Sequence, residues 1–133
     1  MSGTAPLSGR RIFITGADGF LGRGLVAALA REGAAAVVAA DVREVPSERR
    51  LPGVTYLVQD VRDPALAHSL AAHAIDSVVH LASIVTPGKQ SNREFEYSVD
   101  VLGSSNVLDA CVSAGVQQLV VSSSGAAYGY HAD

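Results

Sequence analysis

Short, uninterrupted apolar runs alternate in this chain with segments whose apolar residues recur every three or four positions. Residues 11–15, 36–40, 54–58, 77–81 and 118–121 are the short runs, built mainly from Val, Ile, Leu and Ala. Their length and β-branched content read as buried strands. Leu21, Leu25, Val26 and Leu29 repeat at helical spacing, so a helix is expected over 20–32, with Gly33 just past its end as the stop. Asp63 as N-cap and Pro64 in the first turn open a second helix that runs to residue 74. Residues 95–114 read as one long helix closed by Gly115. Residues 43–53 hold two prolines and several charges and read as an irregular crossover; residues 82–92, with Pro87 and Gly88, read as a surface loop. Residues 1–10 are a flexible N-terminus, and 122–133 a tail rich in glycine and serine.

The strands are apolar throughout instead of alternating, as in a parallel sheet covered on both faces. Strand–helix alternation with right-handed crossovers then gives an α/β fold, a doubly wound parallel sheet of order 3-2-1-4-5 in one domain over 11–133. A ligand crevice is expected between strands one and four, where the winding direction reverses.

Composition narrows the partners. The chain has 133 residues, 48% of them apolar, enough for one core and not two. A net charge of -3 argues against nucleic acid or an anionic membrane surface. The single cysteine, Cys111, excludes an internal disulfide framework and fits a reducing, cytoplasmic setting. No apolar run approaches the roughly 20 residues of a membrane span. The first residues lack the basic and apolar regions of a secretory signal. No grouping of His, Cys, Asp and Glu has metal-ligand spacing, so no metal is expected.

Gly16, Gly19 and Gly22 fall where strand one turns into helix one. A strand that ends in glycines and opens a helix makes a pyrophosphate seat: unpaired N–H groups and the positive helix end face the anion, and glycine lets it come close. Gly16 makes the tight turn, Gly19 admits the phosphate, and Gly22 allows close helix–strand packing. Asp41 ends strand two, where a carboxylate accepts both ribose hydroxyls of an adenosine and repels a 2′-phosphate; this favours NAD over NADP, although Arg43 lies two residues on. Asp60 follows strand three and is placed to accept from an adenine amine, with Val61 packed on the ring. Residues 80–83 end strand four; His80 reads as a core histidine, or one that supports the site from behind, and not as a catalyst, and small Ala82 lets the backbone pass close to a ribose or nicotinamide. The run Ser122–Ser124 followed by Gly125 starts at the carboxyl end of strand five, and reads equally as a flexible loop or as hydroxyls facing a substrate oxygen.

Taken together, residues 15–22, Asp41, 60–63, 80–83, the helix 101–108 and 122–129 resemble, in this order, the first part of an extended short-chain dehydrogenase/reductase of the NAD-dependent nucleotide-sugar epimerase/dehydratase group. The resemblance implies a Rossmann-type domain with NAD as cofactor. It places Gly16, Gly19, Gly22 and the amides of Phe20 and Leu21 at the pyrophosphate, Asp41 at the ribose, and Asp60 and Val61 at the adenine. Leu81, Ala82 and Ser83 would flank the nicotinamide half and Ser122 lie beside the cofactor. Ser124 matches the catalytic Ser/Thr that polarises the substrate oxygen, while Tyr128 belongs to the serine motif and is not the catalytic base. Two features depart from the family pattern. Asp100 stands where an asparagine is usual and cannot donate an amide hydrogen bond. The Tyr-x-x-x-Lys pair that carries proton transfer is absent from the 133 residues.

The resemblance implies hydride transfer between NAD and a small-molecule substrate, a nucleotide-sugar, with little turnover from this chain alone. It also implies self-association or a missing C-terminal half, because strand five would otherwise leave apolar surface uncovered. Two other readings stay open: a non-catalytic NAD-binding or interaction module, and a relative acting on a steroid, flavonoid or other small carbonyl compound.

Overall fold

The computed structural model describes residues 8–82 and 93–122. Its elements are β1 (Arg11–Thr15), α1 (Phe20–Arg31), β2 (Ala36–Asp41), a 3-10 turn (Ser47–Arg49), β3 (Thr55–Val58), α2 (Leu66–Ala72), β4 (Ser77–His80), α3 (Arg93–Tyr97), a π turn (Ser98–Gly103), α4 (Ser104–Ala114) and β5 (Gln118–Val121). All five strands are parallel and lie in the order β3-β2-β1-β4-β5, as the sequence implies.

Successive side chains of β1 point to opposite faces of the sheet, which divides the core in two. Phe13 enters one layer with Val38, Val78, Leu66, Leu70, Val107 and Cys111, so that face is covered by α2 and α4. Ile12 and Ile14 enter the other with Val26, Leu29, Val37 and Ala39, under α1. Phe13 and Ile14 are fully buried, which explains why β1 shows no polar alternation. The register Thr15↔Ala40 and Thr15↔His80 brings the carboxyl ends of β2, β1 and β4 level. The loops after those three strands therefore share one rim.

Two helices differ from expectation. The second starts at Leu66 and not at Asp63. Asp63 Oδ1 accepts the Ala65 N–H (2.8 Å) and the Asp63 carbonyl accepts the Leu66 N–H (3.1 Å), closing a separate turn ahead of the helix. A short acidic side chain bonds its own backbone readily enough to delay helix entry. The helix expected over 95–114 contains a π turn at Ser98–Gly103. There Gly103 lies against Val61, and a Cβ on Gly103 would stand 2.7 Å from Val61 Cγ2. One wide turn thus lets α4 settle onto the β3–α2 loop. The crossover over 43–53 is irregular as expected, apart from the single turn Ser47–Arg49.

Candidate functional site

The glycine turn between β1 and α1 is built by backbone proximity. Gly16 has φ +66°, and a Cβ there would lie 2.7 Å from the Ala82 nitrogen, so conformation and space both require glycine. A Cβ on Gly22 would strike the Gly16 carbonyl oxygen and lie 2.6 Å from the Ala17 carbonyl carbon. Gly19 leads into α1 with an extended backbone, and a Cβ there would make only an ordinary contact, 3.5 Å from the Gly16 carbonyl oxygen. Helix α1 has no side-chain cap and no acidic residue in its first turn. The Arg23 N–H bonds back to the Gly19 carbonyl (2.9 Å). Among the described residues the N–H groups of Phe20, Leu21 and Gly22 have no partner. They lie at the positive end of a 12-residue helix, where Phe20 and Leu21 are exposed and Gly22 is buried against the turn.

Asp41 faces this turn. Its Oδ2 accepts the Asp18 N–H (2.9 Å) and its Oδ1 the Arg43 N–H (3.3 Å). Each oxygen keeps a lone pair for a further donor. The Asp18 carboxylate is ion-paired with Arg49 and, at 3.6 Å, with Arg23. Its charge is therefore partly neutralised beside a seat that suits an anion.

A polar network that the sequence does not announce joins β1, β4 and α4. Thr15, 2% exposed, receives the N–H groups of Leu81 and Ala82 on its Oγ1, each at 3.0 Å. The same oxygen lies 2.7 Å from His80 Nδ1, and His80 Nε2 lies 2.9 Å from Ser104 Oγ. Burial pushes the His80 pKa below its ordinary value, and the negative field of Asp100 opposes that shift. His80 is thus a buried, doubly bonded histidine at the site's edge. The hints in the sequence are a threonine ending the apolar run of β1 and a histidine ending that of β4.

After β3, Asp60 is held by Arg62 in a two-pronged contact, Nε to Oδ1 at 2.9 Å and Nη2 to Oδ2 at 2.6 Å. The Arg62 hydrogen bond is the main cause that keeps the Asp60 carboxyl below its ordinary pKa. Arg62 also donates to Ser98 Oγ (3.0 Å) and lies 5.3 Å from the centre of the Phe95 ring. Val61 differs from the sequence reading. Its side chain is buried in the core against Gly103, because the same turn that presents Asp60 rotates the next residue inward. Its N–H has no partner among the described residues. Asn106 Nδ2 fixes this loop from α4, donating to the carbonyls of Val61 (2.7 Å) and Asp63 (2.9 Å).

Leu81 and Ala82 sit directly behind Gly16, and the Ser122 N–H donates to the His80 carbonyl (3.2 Å). The structure therefore brings Gly16, Gly19, Phe20, Leu21, Gly22, Asp41, Asp60, Leu81, Ala82 and Ser122 to the loops at the carboxyl ends of the strands. Ser83, Ser124 and Tyr128 lie outside the described residues. Among the described residues no group of three or more His, Cys, Asp or Glu could hold a metal ion, and no helix is long and apolar enough to cross a membrane.

Comparison with known proteins agrees with this architecture. Residues 12–133 match the NAD dependent epimerase/dehydratase family. A UDP-glucose 4-epimerase of Klebsiella pneumoniae is 29% identical over 128 residues, covering 90% of this chain and 92% of that sequence. A human sterol-4-alpha-carboxylate 3-dehydrogenase (decarboxylating) is 30% identical over 115 residues, covering 86% of this chain but only 29% of its own length. The crystal structure of a UDP-glucose-4-epimerase from Stenotrophomonas maltophila, with bound NAD and formylated UDP-arabinopyranose, superposes with a TM-score of 0.79 at 29% identity. It covers 90% of this chain and 38% of that one, so the chain spans well under half of that enzyme. With the glycine turn, the facing carboxylate and this sheet order in place, the chain belongs to the NAD-dependent epimerase/dehydratase family, whose cofactor is NAD.

Proposed function

We propose that the crevice along Gly16–Gly22, Asp41 and Asp60 binds NAD, as the N-terminal part of an oxidoreductase acting on a nucleotide-sugar. The observation that carries the reading is the set of three unpartnered N–H groups at the start of α1, with the Asp41 carboxylate held at the same turn by the Asp18 N–H. Donors of that kind satisfy a diphosphate without any side chain. Asp41 has acceptor capacity left for two ribose hydroxyls and would repel a 2′-phosphate. At the far end, the Asp60 carboxylate and the Val61 N–H offer an acceptor beside a donor. That pairing complements the amine and adjacent ring nitrogen of adenine.

Bound NAD supplies hydride transfer. The chain's own residues bind and orient it, and Ser124, by family resemblance, donates a hydrogen bond to the substrate oxygen. The 133 residues contain no Tyr-x-x-x-Lys pair to move a proton, so we expect cofactor binding from them with little turnover. The nucleotide-sugar assignment is supported by the named ligands and activities of the epimerase relatives. The sterol dehydrogenase relative keeps a steroid carbinol as the second reading.

Fluorescence titration with NADH and NADPH tests the proposal. Saturable NADH binding, tighter than NADPH, is expected. Asp41→Ala should weaken NADH about tenfold, or about 1.4 kcal/mol, and erase the preference. No saturable binding, or binding indifferent to Asp41, overturns it. NAD reduction assayed with UDP-sugars and with sterols should stay near background for these residues; turnover with either overturns that expectation and names the substrate class.

A further inference from the structure

We infer that Thr15, His80 and Ser104 form a positioning relay that fixes the separation of β1 and β4 at the crevice, with His80 held neutral and protonated on Nε2. As a statement about cofactor binding, it rests on the NAD reading above.

Hydroxyl valence carries the argument. A threonine hydroxyl has one proton and two lone pairs. Both lone pairs of the Thr15 hydroxyl face N–H groups, that of Ala82 and that of Leu81, which is shared with the Thr15 carbonyl at 3.2 Å. The contact of 2.7 Å with His80 must therefore use the Thr15 proton, and Nδ1 must accept it. The ring proton then sits on Nε2 and is donated to Ser104 Oγ at 2.9 Å. The relay needs the neutral ring: an imidazolium would turn an N–H toward an oxygen with no lone pair to spare.

Its geometric consequence lies one residue away. The Ala82 N–H that Thr15 captures belongs to the backbone against which Gly16 is packed, the Ala82 nitrogen lying 2.7 Å from where a Gly16 Cβ would be. Loss of the Thr15 hydroxyl frees the Ala82 donor and leaves the Leu81 N–H to the Thr15 carbonyl alone (3.2 Å), at the seam between the glycine turn and the β4 loop. Ser104 extends the tie to the first residue of α4. The glycine turn, the β4 loop and α4 are thus referred to one buried imidazole. Among the described residues, the charged group whose field reaches that ring is Asp100, on the π turn preceding α4.

The experiment uses 15N-histidine-labelled chain, with imidazole nitrogen NMR and NADH titration read in parallel. His80 should show an unprotonated Nδ1 and a protonated Nε2. Thr15→Val should weaken NADH about tenfold, whereas Thr15→Ser, which keeps the hydroxyl, should stay within about twofold. Ser104→Ala leaves β1 untouched and should weaken NADH about threefold, which keeps the test alive if Thr15→Val does not fold.

The pH dependence has a fixed sign. The folded-state midpoint of His80 is depressed, so the unfolded chain takes up its proton first, near the ordinary value of about 6.5. The stability from neutral His80 is complete above that pH and is lost as pH falls toward the folded midpoint. Asp100→Asn should lower this midpoint further, because the carboxylate favours the charged ring. A protonated Nδ1 at neutral pH, or unchanged NADH affinity in both Thr15→Val and Ser104→Ala, overturns the relay. Wild-type chain that fails to bind NADH while showing the expected tautomer overturns the nucleotide reading instead.

Discussion

The two ends of the crevice are made in opposite ways. At the glycine turn the decisive feature is missing side chains: Gly16 and Gly22 hold backbone against backbone, with Ala82 and Ala17 as neighbours. At the Asp60 end the shape comes from side chains that reach the surface, the Asp60–Arg62 fork and the Arg62 contact with Phe95. Backbone cannot yield to an added methyl, whereas a surface ion pair is replaced by water at little cost. The phosphate end should therefore be brittle and the adenine end tolerant. That contrast suits a ligand with one invariant rigid part, the diphosphate, and one end read by a few polar contacts.

The sharpest way to break the contrast is Gly22→Ala. The new methyl would overlap the Gly16 carbonyl oxygen and the Ala17 carbonyl carbon, neither of which can turn aside. We expect a loss of about 3 kcal/mol or more in urea unfolding. Gly24→Ala is the control on the same helix. A Cβ there meets nothing within 4 Å, so helix propensity should make that variant more stable by about 0.5–1 kcal/mol. Equal effects from the two would mean that the turn is not tightly packed.

The brittle end was legible and the tolerant end only partly so, for the same reason. Glycine spacing after an apolar strand encodes a backbone contact, and backbone geometry repeats from protein to protein. The strand order followed equally from apolar runs that leave no polar face. By contrast, the delayed start of α2 and the π turn depend on Asp63 bonding its own loop and on Gly103 meeting Val61, contacts between residues about forty positions apart in the second case. Val61 read as a ring contact because it follows Asp60, yet the turn sends its side chain into the core. Thr15 and Ser104 were hidden because each is an ordinary polar residue until His80 joins them.

A middle case sits between the two ends. Asn106, half-buried on α4, donates to the carbonyls of both Val61 and Asp63. Asn106→Ala leaves two acceptors with weaker partners, and we expect a loss of about 1–2 kcal/mol. The damage should be local. Hydrogen exchange at residues 60–66 should rise, while the N–H groups of β1 keep their protection. Uniform loss of protection would mean that the adenine loop is not an independently held unit.

The smallest effect is expected from Arg62→Ala, at the tolerant end itself. Arg62 is partly exposed, and its fork with Asp60 lies in high dielectric, so the urea midpoint should barely move. What should change is the carboxylate. The Arg62 hydrogen bond is the main reason the Asp60 pKa lies below its ordinary value, and without it the Asp60 titration should move up. Carbonyl-carbon NMR of Asp60 reads that shift directly. If the fork only orients Asp60, NADH affinity at neutral pH should fall by about twofold, because the carboxylate stays ionised there and loses only its fixed direction. A loss as large as that of Asp41→Ala would instead make Arg62 part of the binding surface, and the two ends of the crevice would no longer differ in kind.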